Sequence, residues 1–197
     1  MIRRGFLALV LSVATAAGLA AGATGAFAQD AENVLVIDVE GSHPGTVEIE
    51  LLPEVAPQHV ARIKELARAG AYDGVVFHRV IDGFMAQTGD VAHGKHGGDL
   101  SQAGTGGSDM PDLPAEFSAE PFEAGTVGMA RAMDPNSANS QFFIMFAPAS
   151  HLDGQYTVVG KVVAGQDVVD AIKRGEGAGG TVSDPDWMAT VRVKADG

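Results

Sequence analysis

The residues able to do chemistry fall in two stretches. FHRVIDGFMAQTGD, from Phe77 to Asp90, sets one cation, Arg79, near apolar Phe84 and Met85 and the amide of Gln87. NSANSQFFIMF, from Asn136 to Phe146, adds apolar bulk around Phe143 and a second amide, Gln141. Neither stretch pairs a nucleophile with a base, and a GxSxG elbow is absent, so a serine hydrolase has no support. What remains is an apolar pocket with a guanidinium at its rim. That equipment suits a reaction that makes no bond to its substrate and only stabilises a twisted geometry.

Other signals carry less. GDVAHGKH, Gly89 to His96, approaches a phosphate-binding loop, but His96 stands where magnesium needs Ser or Thr, and no strong helix follows. Asp90, His93, His96 and Asp99 offer ligand types that zinc accepts, yet the glycines around them argue against the helix their spacing would need. The expectation is therefore no metal and no cofactor. His78, beside Arg79, has no nucleophile to serve and is expected to be a buried, hydrogen-bonded histidine rather than a catalytic base. With no cysteine in the chain, disulfides, thiolate chemistry and cysteine-based zinc sites are excluded.

The elements that must position these residues can be read from periodicity. Val34 to Val39 and Thr46 to Leu51 form a hairpin, the second strand alternating Val47, Ile49 and Leu51 against Glu48 and Glu50. Pro57 to Ala69 is a helix, with Val60, Ile63 and Leu66 at helical spacing and Gly70 as its stop. Strands follow at about Val75–Val80, Met85–Thr88, Thr126–Ala130, Gln141–Phe146, Tyr156–Val163 and Thr190–Lys194, with a second helix over about Gln166–Arg174. The irregular segment Val91–Pro114 is too long for a hairpin loop, so it is either functional or mobile. Many short strands and two helices predict a mainly β fold: a closed antiparallel barrel of eight strands capped by two α-helices. A barrel this small is filled by its own side chains, so the site must lie on an outer face.

The chain resembles the cyclophilin-type peptidyl-prolyl cis-trans isomerases, of the exported bacterial kind. The family pattern FHRxIxGFMxQxGD is matched at every fixed position from Phe77 to Asp90, SQFFI runs from Ser140 to Ile144, and MAR from Met129 to Arg131. LDGQYTVVGKVVAGQDVVDAI, Leu152 to Ile172, resembles the family's closing strand and helix. The resemblance covers about Val34 to Val193. It implies the eight-stranded barrel and rotation about X–Pro bonds in unfolded or extended polypeptides. It assigns catalysis to Arg79, Gln87 and Phe84. Met85, Phe143 and Leu152 complete a proline pocket with Phe84, and the substrate backbone is held by Gln87, Gln141 and the main chain of Ala130. Arg131 stands where eukaryotic members carry an asparagine, His151 where they carry a tryptophan, and Tyr156 where they carry a histidine. These three complete the expected substrate-binding set, and the last two imply weak cyclosporin binding.

The first stretch reads as a targeting segment. Arg3 and Arg4 precede an apolar run, and Ala26-Phe27-Ala28 matches a cleavage site. The expected organisation is a signal peptide over 1–28 and one isomerase domain over 29–197, periplasmic after export and free of the membrane. Loss of Arg3 and Arg4 takes the formal net charge from −12 to −14, a balance that repels nucleic acid and anionic membranes. The expected partner is a proline-containing polypeptide, met by a monomer. The rival readings are a peptide-binding chaperone using the same groove, and a metal-dependent enzyme built on His93 and His96.

Overall fold

The computed structural model describes residues 31–197; the expected signal peptide lies outside them. Nine strands form one antiparallel sheet: β1 (Val34–Glu40), β2 (Gly45–Leu51), β3 (Val75–Val76), β4 (Arg79–Ile81), β5 (Met85–Thr88), β6 (Thr126–Met129), β7 (Phe142–Met145), β8 (Val158–Ala164) and β9 (Trp187–Val193). Their spatial order is β3-β9-β1-β2-β8-β6-β7-β5-β4. The two strands at the ends of that order are separated in the chain only by Phe77 and His78. The ring therefore closes through the backbone itself. Taken as one interrupted strand, β3 and β4 make the count the eight that periodicity predicts. At the interruption Phe77 gives its N–H to the carbonyl of Asp186, in line with the β3–β9 register.

Alternation decides what faces inward. Leu35, Ile37 and Val39 of β1 and Val47, Ile49 and Leu51 of β2 are all buried in one core. Helix α1 (Pro57–Arg68) adds Val60, Ile63 and Leu66 to it, and helix α2 (Gln166–Ala171) adds Val169. The expected elements are present with shifted ends. Helix α2 stops at Ala171 because the Asp186 carboxylate accepts the Lys173 N–H and Ile172 turns to an extended conformation. Strand β9 begins at Trp187, three residues earlier than its alternation suggests, because Trp187 and Met188 pair with β3.

The long segment after β5 is held by the buried Asp90 and the half-buried Asn139. The Asp90 carboxylate accepts the N–H groups of Ala92, His93, Gly104 and Gly106. Asn139 accepts from Ser108 and donates to the Met110 carbonyl. Four N–H groups on one carboxylate replace the regular ladder that this segment lacks.

Candidate active site

The site grows out of strand register. Arg79 pairs with Gln87, Gln87 with Phe143, and Phe143 with Gly128, so one row of residues crosses β4, β5, β7 and β6. Their neighbours Val80, Ala86, Ile144 and Val127 point into the barrel core. By the period of two, the row itself faces outward. The next outward row, Ile81, Met85 and Met145, lies alongside. Beneath this face Met85, Phe143, Leu152 and Val158 pack with Phe122 as a second hydrophobic cluster. Gly128 is required by close approach: a Cβ there would lie 2.6 Å from both the Phe122 and Phe143 rings. Those rings stack with centroids 5.7 Å apart.

Above that cluster opens a cavity of about 170 Å³ lined by Arg79, Phe84, Met85, Gln87, Ala130, Arg131, Phe143, Leu152 and Tyr156. Met85 and Phe143 are buried and form its floor, while Arg79, Phe84 and Tyr156 are half-buried on its walls. Nine of the eleven residues picked from sequence thus line a single pocket. Gln141 and His151 stand just outside it. His151 is exposed and stacks on Phe84, centroids 5.9 Å apart. Tyr156 meets Phe143 edge-on at 5.9 Å and carries the Arg131 guanidinium on its face at 4.4 Å.

Polar groups form a relay along the wall. Arg79 donates from Nη1 to Gln87 Oε1 at 3.1 Å and from Nε to the Gly179 carbonyl at 3.1 Å. Gln87 Nε2 donates to Gln141 Oε1 at 2.9 Å, and Gln141 Nε2 donates to the carbonyls of Gly104 and Gly106. Both ends of the Gln141 amide are thus engaged, and it braces Gln87. The Ala130 N–H is engaged by the Gln141 carbonyl, so a substrate backbone can use only the Ala130 carbonyl as acceptor. Arg79 Nη2 has no partner among the described residues and remains available as a donor.

Several participants carried no signal in the sequence. The carbonyls of Gly104, Gly106 and Gly179 come from glycine-rich loops far along the chain, and no pattern marks a carbonyl as an anchor. The segment 104–108 also forms one wall of a second, larger cavity of about 560 Å³, which shares Gln87, Ala130 and Arg131 with the first. The long segment is therefore part of the site.

His78 is buried as expected, but neither ring nitrogen finds a hydrogen bond within the chain, against the sequence expectation. Its ring packs against Gly104, where a Cβ would come within 2.9 Å. Burial, with Arg79 adjacent, holds its pKa below the ordinary value despite the pull of Asp90. It is a neutral packing post under the loop that anchors Gln141, not a base facing the cavity. The candidate metal ligands are used otherwise. Asp90 organises the loop, His93 Nδ1 lies 3.3 Å from Thr105 Oγ1, and His96 stacks on Trp187 at 3.6 Å. No group of three His, Cys, Asp or Glu side chains among the described residues could hold a metal ion.

Comparison with known proteins gives this geometry a context. Residues 36–194 match the family model for cyclophilin type peptidyl-prolyl cis-trans isomerases. A probable peptidyl-prolyl cis-trans isomerase of Brucella suis is 55% identical over 195 residues, spanning 97% of this chain and 98% of the relative. Peptidyl-prolyl cis-trans isomerase B of Bacillus subtilis is 41% identical over 132 residues, 66% of this chain and 85% of the relative. Among solved structures, the cyclophilin AquaCyp293 from Hirschia baltica superposes with a TM-score of 0.69 at 29% identity, over 83% of this chain and 74% of that one. A cyclophilin of Cryptosporidium parvum, crystallised in the presence of the dipeptide Ala-Pro, shares the fold with a TM-score of 0.68 at 23% identity, over 81% of this chain and 98% of that one. A family match over almost the whole described chain, on a barrel whose outer face gathers Arg79, Gln87, Phe84, Met85 and Phe143 into one pocket, places this protein in the cyclophilin-type peptidyl-prolyl cis-trans isomerase family.

Proposed function

We propose that the protein rotates X–Pro peptide bonds in unfolded or extended polypeptides, and that Arg79 supplies the differential stabilisation. The planar amide resists rotation by roughly 18–20 kcal/mol because twisting abolishes its resonance. In the twisted state the prolyl nitrogen regains a lone pair that a donor can reach. The observation that carries this reading is the free Nη2 edge of Arg79, held at the rim of an apolar pocket by Gln87 and Gly179. A guanidinium fixed before the substrate arrives need not reorganise when the lone pair develops. Such a bond is worth about 1.5–3 kcal/mol, one to two decades of rate. The remainder comes from seating the proline ring against Phe84, Met85, Phe143 and Leu152 while the chain is gripped on either side.

In this reading the enzyme needs no cofactor and acts as a monomer in the periplasm after removal of residues 1–28. It binds cyclosporin weakly, because His151 offers less apolar area than an indole. The test is exchange NMR on a short proline peptide with the native protein and with Arg79→Ala. Catalysed exchange that the substitution lowers at least tenfold supports the mechanism. Equal rates would remove Arg79 from it. Mass spectrometry of protein recovered from the exported fraction tests the compartment: the expected chain begins at Gln29, and a retained Met1 would sink that part.

A further inference from the structure

The distribution of unpaired positive charge points to a preference in substrate. Among the described residues, Arg62, Arg79, Lys95 and Arg131 are the only Lys or Arg side chains without an ion pair; every other Lys or Arg lies within 4.0 Å of a carboxylate. Arg62 is buried beneath the long loop on the Pro111 carbonyl, and Lys95 is spent on the carbonyls of Ala71 and Asp73. The other two, Arg79 and Arg131, line the same cavity. No carboxylate lines that cavity, on a chain with formal net charge −12.

Arg131 is fixed in a way that leaves its charge uncompensated. Its Nη1 donates to the Ala132 carbonyl at 2.9 Å, its Nη2 to the Gln155 carbonyl at 3.0 Å, and the planar head lies on the Tyr156 ring. Neutral carbonyls and an aromatic face hold a guanidinium without cancelling it. Its Nε–H is buried without a partner. The residue borders both cavities, at the point where a chain leaving the proline pocket would pass into the second. The second cavity has one carboxylate on its rim, Asp112, already bonded to Asn139 Nδ2.

We infer that Arg131, supported by Arg79, selects substrates carrying an acidic side chain within two residues of the proline. This rests on the isomerase reading of the same pocket. It adds a charge class to a site whose floor is otherwise purely apolar. An extended chain advances about 3.3–3.6 Å per residue, so a Glu one or two places from the seated proline lies within reach of a guanidinium at the junction. Attraction between half-buried charges is screened less than between exposed ones.

The test uses proline peptides identical except for Glu or Gln at each of the two positions before and the two after the proline. Turnover is followed by exchange NMR and affinity by calorimetry. The Gln peptides report on isomerisation itself; the ratio of Glu to Gln reports on charge selection, in affinity even where turnover is lost. The native protein is expected to favour Glu at one or more positions by roughly threefold to tenfold at low salt. The ratio should contract as salt is raised. Arg131→Gln should bring it to about one whatever it does to absolute activity, and Arg131→Lys should keep it above one. A ratio near one at all four positions in the native protein, or one that Arg131→Gln leaves unchanged, overturns the inference. If Arg131→Gln fails to fold, the salt dependence of the native ratio decides: a ratio indifferent to salt is not electrostatic and overturns it equally.

Discussion

At the scale of single residues, the site rests on side chains that are held rather than merely near. Arg79 is fixed by two hydrogen bonds, and the amide that fixes it is itself fixed by Gln141 and the 104–106 backbone. Arg79→Ala is therefore expected to keep the fold and most peptide affinity while losing at least a decade of turnover, because its contribution grows only as the amide twists. Separate measurement of peptide Kd and exchange rate checks this; a parallel loss of affinity would show uniform binding instead. His151 gives a second prediction. It stacks on Phe84, which lines the cavity, and is exposed. His151→Trp would widen that platform. Some tens of Å² of added apolar contact at about 25 cal/mol per Å², together with an indole N–H, should tighten cyclosporin inhibition at least tenfold. Turnover of short peptides should stay similar. Titration of both proteins with the drug in one assay decides it.

At the scale of elements, helix α1 shows how tertiary structure completes what a local segment lacks. Its N-cap is Ala56, which offers no side-chain acceptor, and Pro57 opens the first turn. The missing acceptor arrives from Glu116, whose carboxylate takes the N–H groups of Gln58 and His59 and meets His59 Nδ1 at 2.7 Å. A carboxylate at a helix N-terminus also faces the positive end of the helix dipole. Burial opposes the charge on Glu116, but the bonds from His59 and Gln58 outweigh it and hold its pKa below the ordinary 4.5. Glu116→Ala is expected to cost about 1–3 kcal/mol, since it uncaps α1 and leaves the fully buried His59 ring without that partner. Denaturant melts should show a lowered midpoint with an unchanged slope. A neutral effect would mean that water replaces the carboxylate at no cost.

At the scale of the whole molecule, three titratable groups, His78 and Asp90 buried and Glu116 half-buried, make the fold acid-sensitive in stages. His78 has a folded pKa below its ordinary 6.5, so its neutral form is favoured by folding. Stability is complete above 6.5 and falls as pH drops through the interval down to the folded value. Asp90 and Glu116 have folded pKa values below their ordinary 3.8 and 4.5. Their contribution is present above those values and is lost on further acidification. For Asp90, burial works against the charge, and the N–H groups of His93, Gly106, Gly104 and Ala92 more than compensate. Thermal melts from pH 7.5 to 2.5 should therefore fall first below about 6.5, again below about 4.5 and further below about 3.8. His78→Gln should flatten the first fall, Glu116→Gln the second and Asp90→Asn the third. A midpoint indifferent to pH across these windows would remove these groups from the account.

Much of this protein follows from its sequence alone. Period-two alternation in residues such as Val47, Ile49 and Leu51 is a local property, so the strands and the barrel class could be read directly, and a barrel filled by its own side chains put the site on an outer face. The resemblance to a known family supplied the roles, because motifs as long as Phe77–Asp90 carry them intact. Strand ends were less legible: pairing between β9 and β3, and the pull of Asp186 on Lys173, are set by partners far along the chain. The anchoring of Arg79 by the Gly179 carbonyl, the capping of α1 by Glu116 and the ordering of residues 92–106 by Asp90 left no local pattern. Backbone carbonyls and borrowed carboxylates have no periodicity, so only the closure of the barrel, which brings distant loops to one face, decided which groups hold the site.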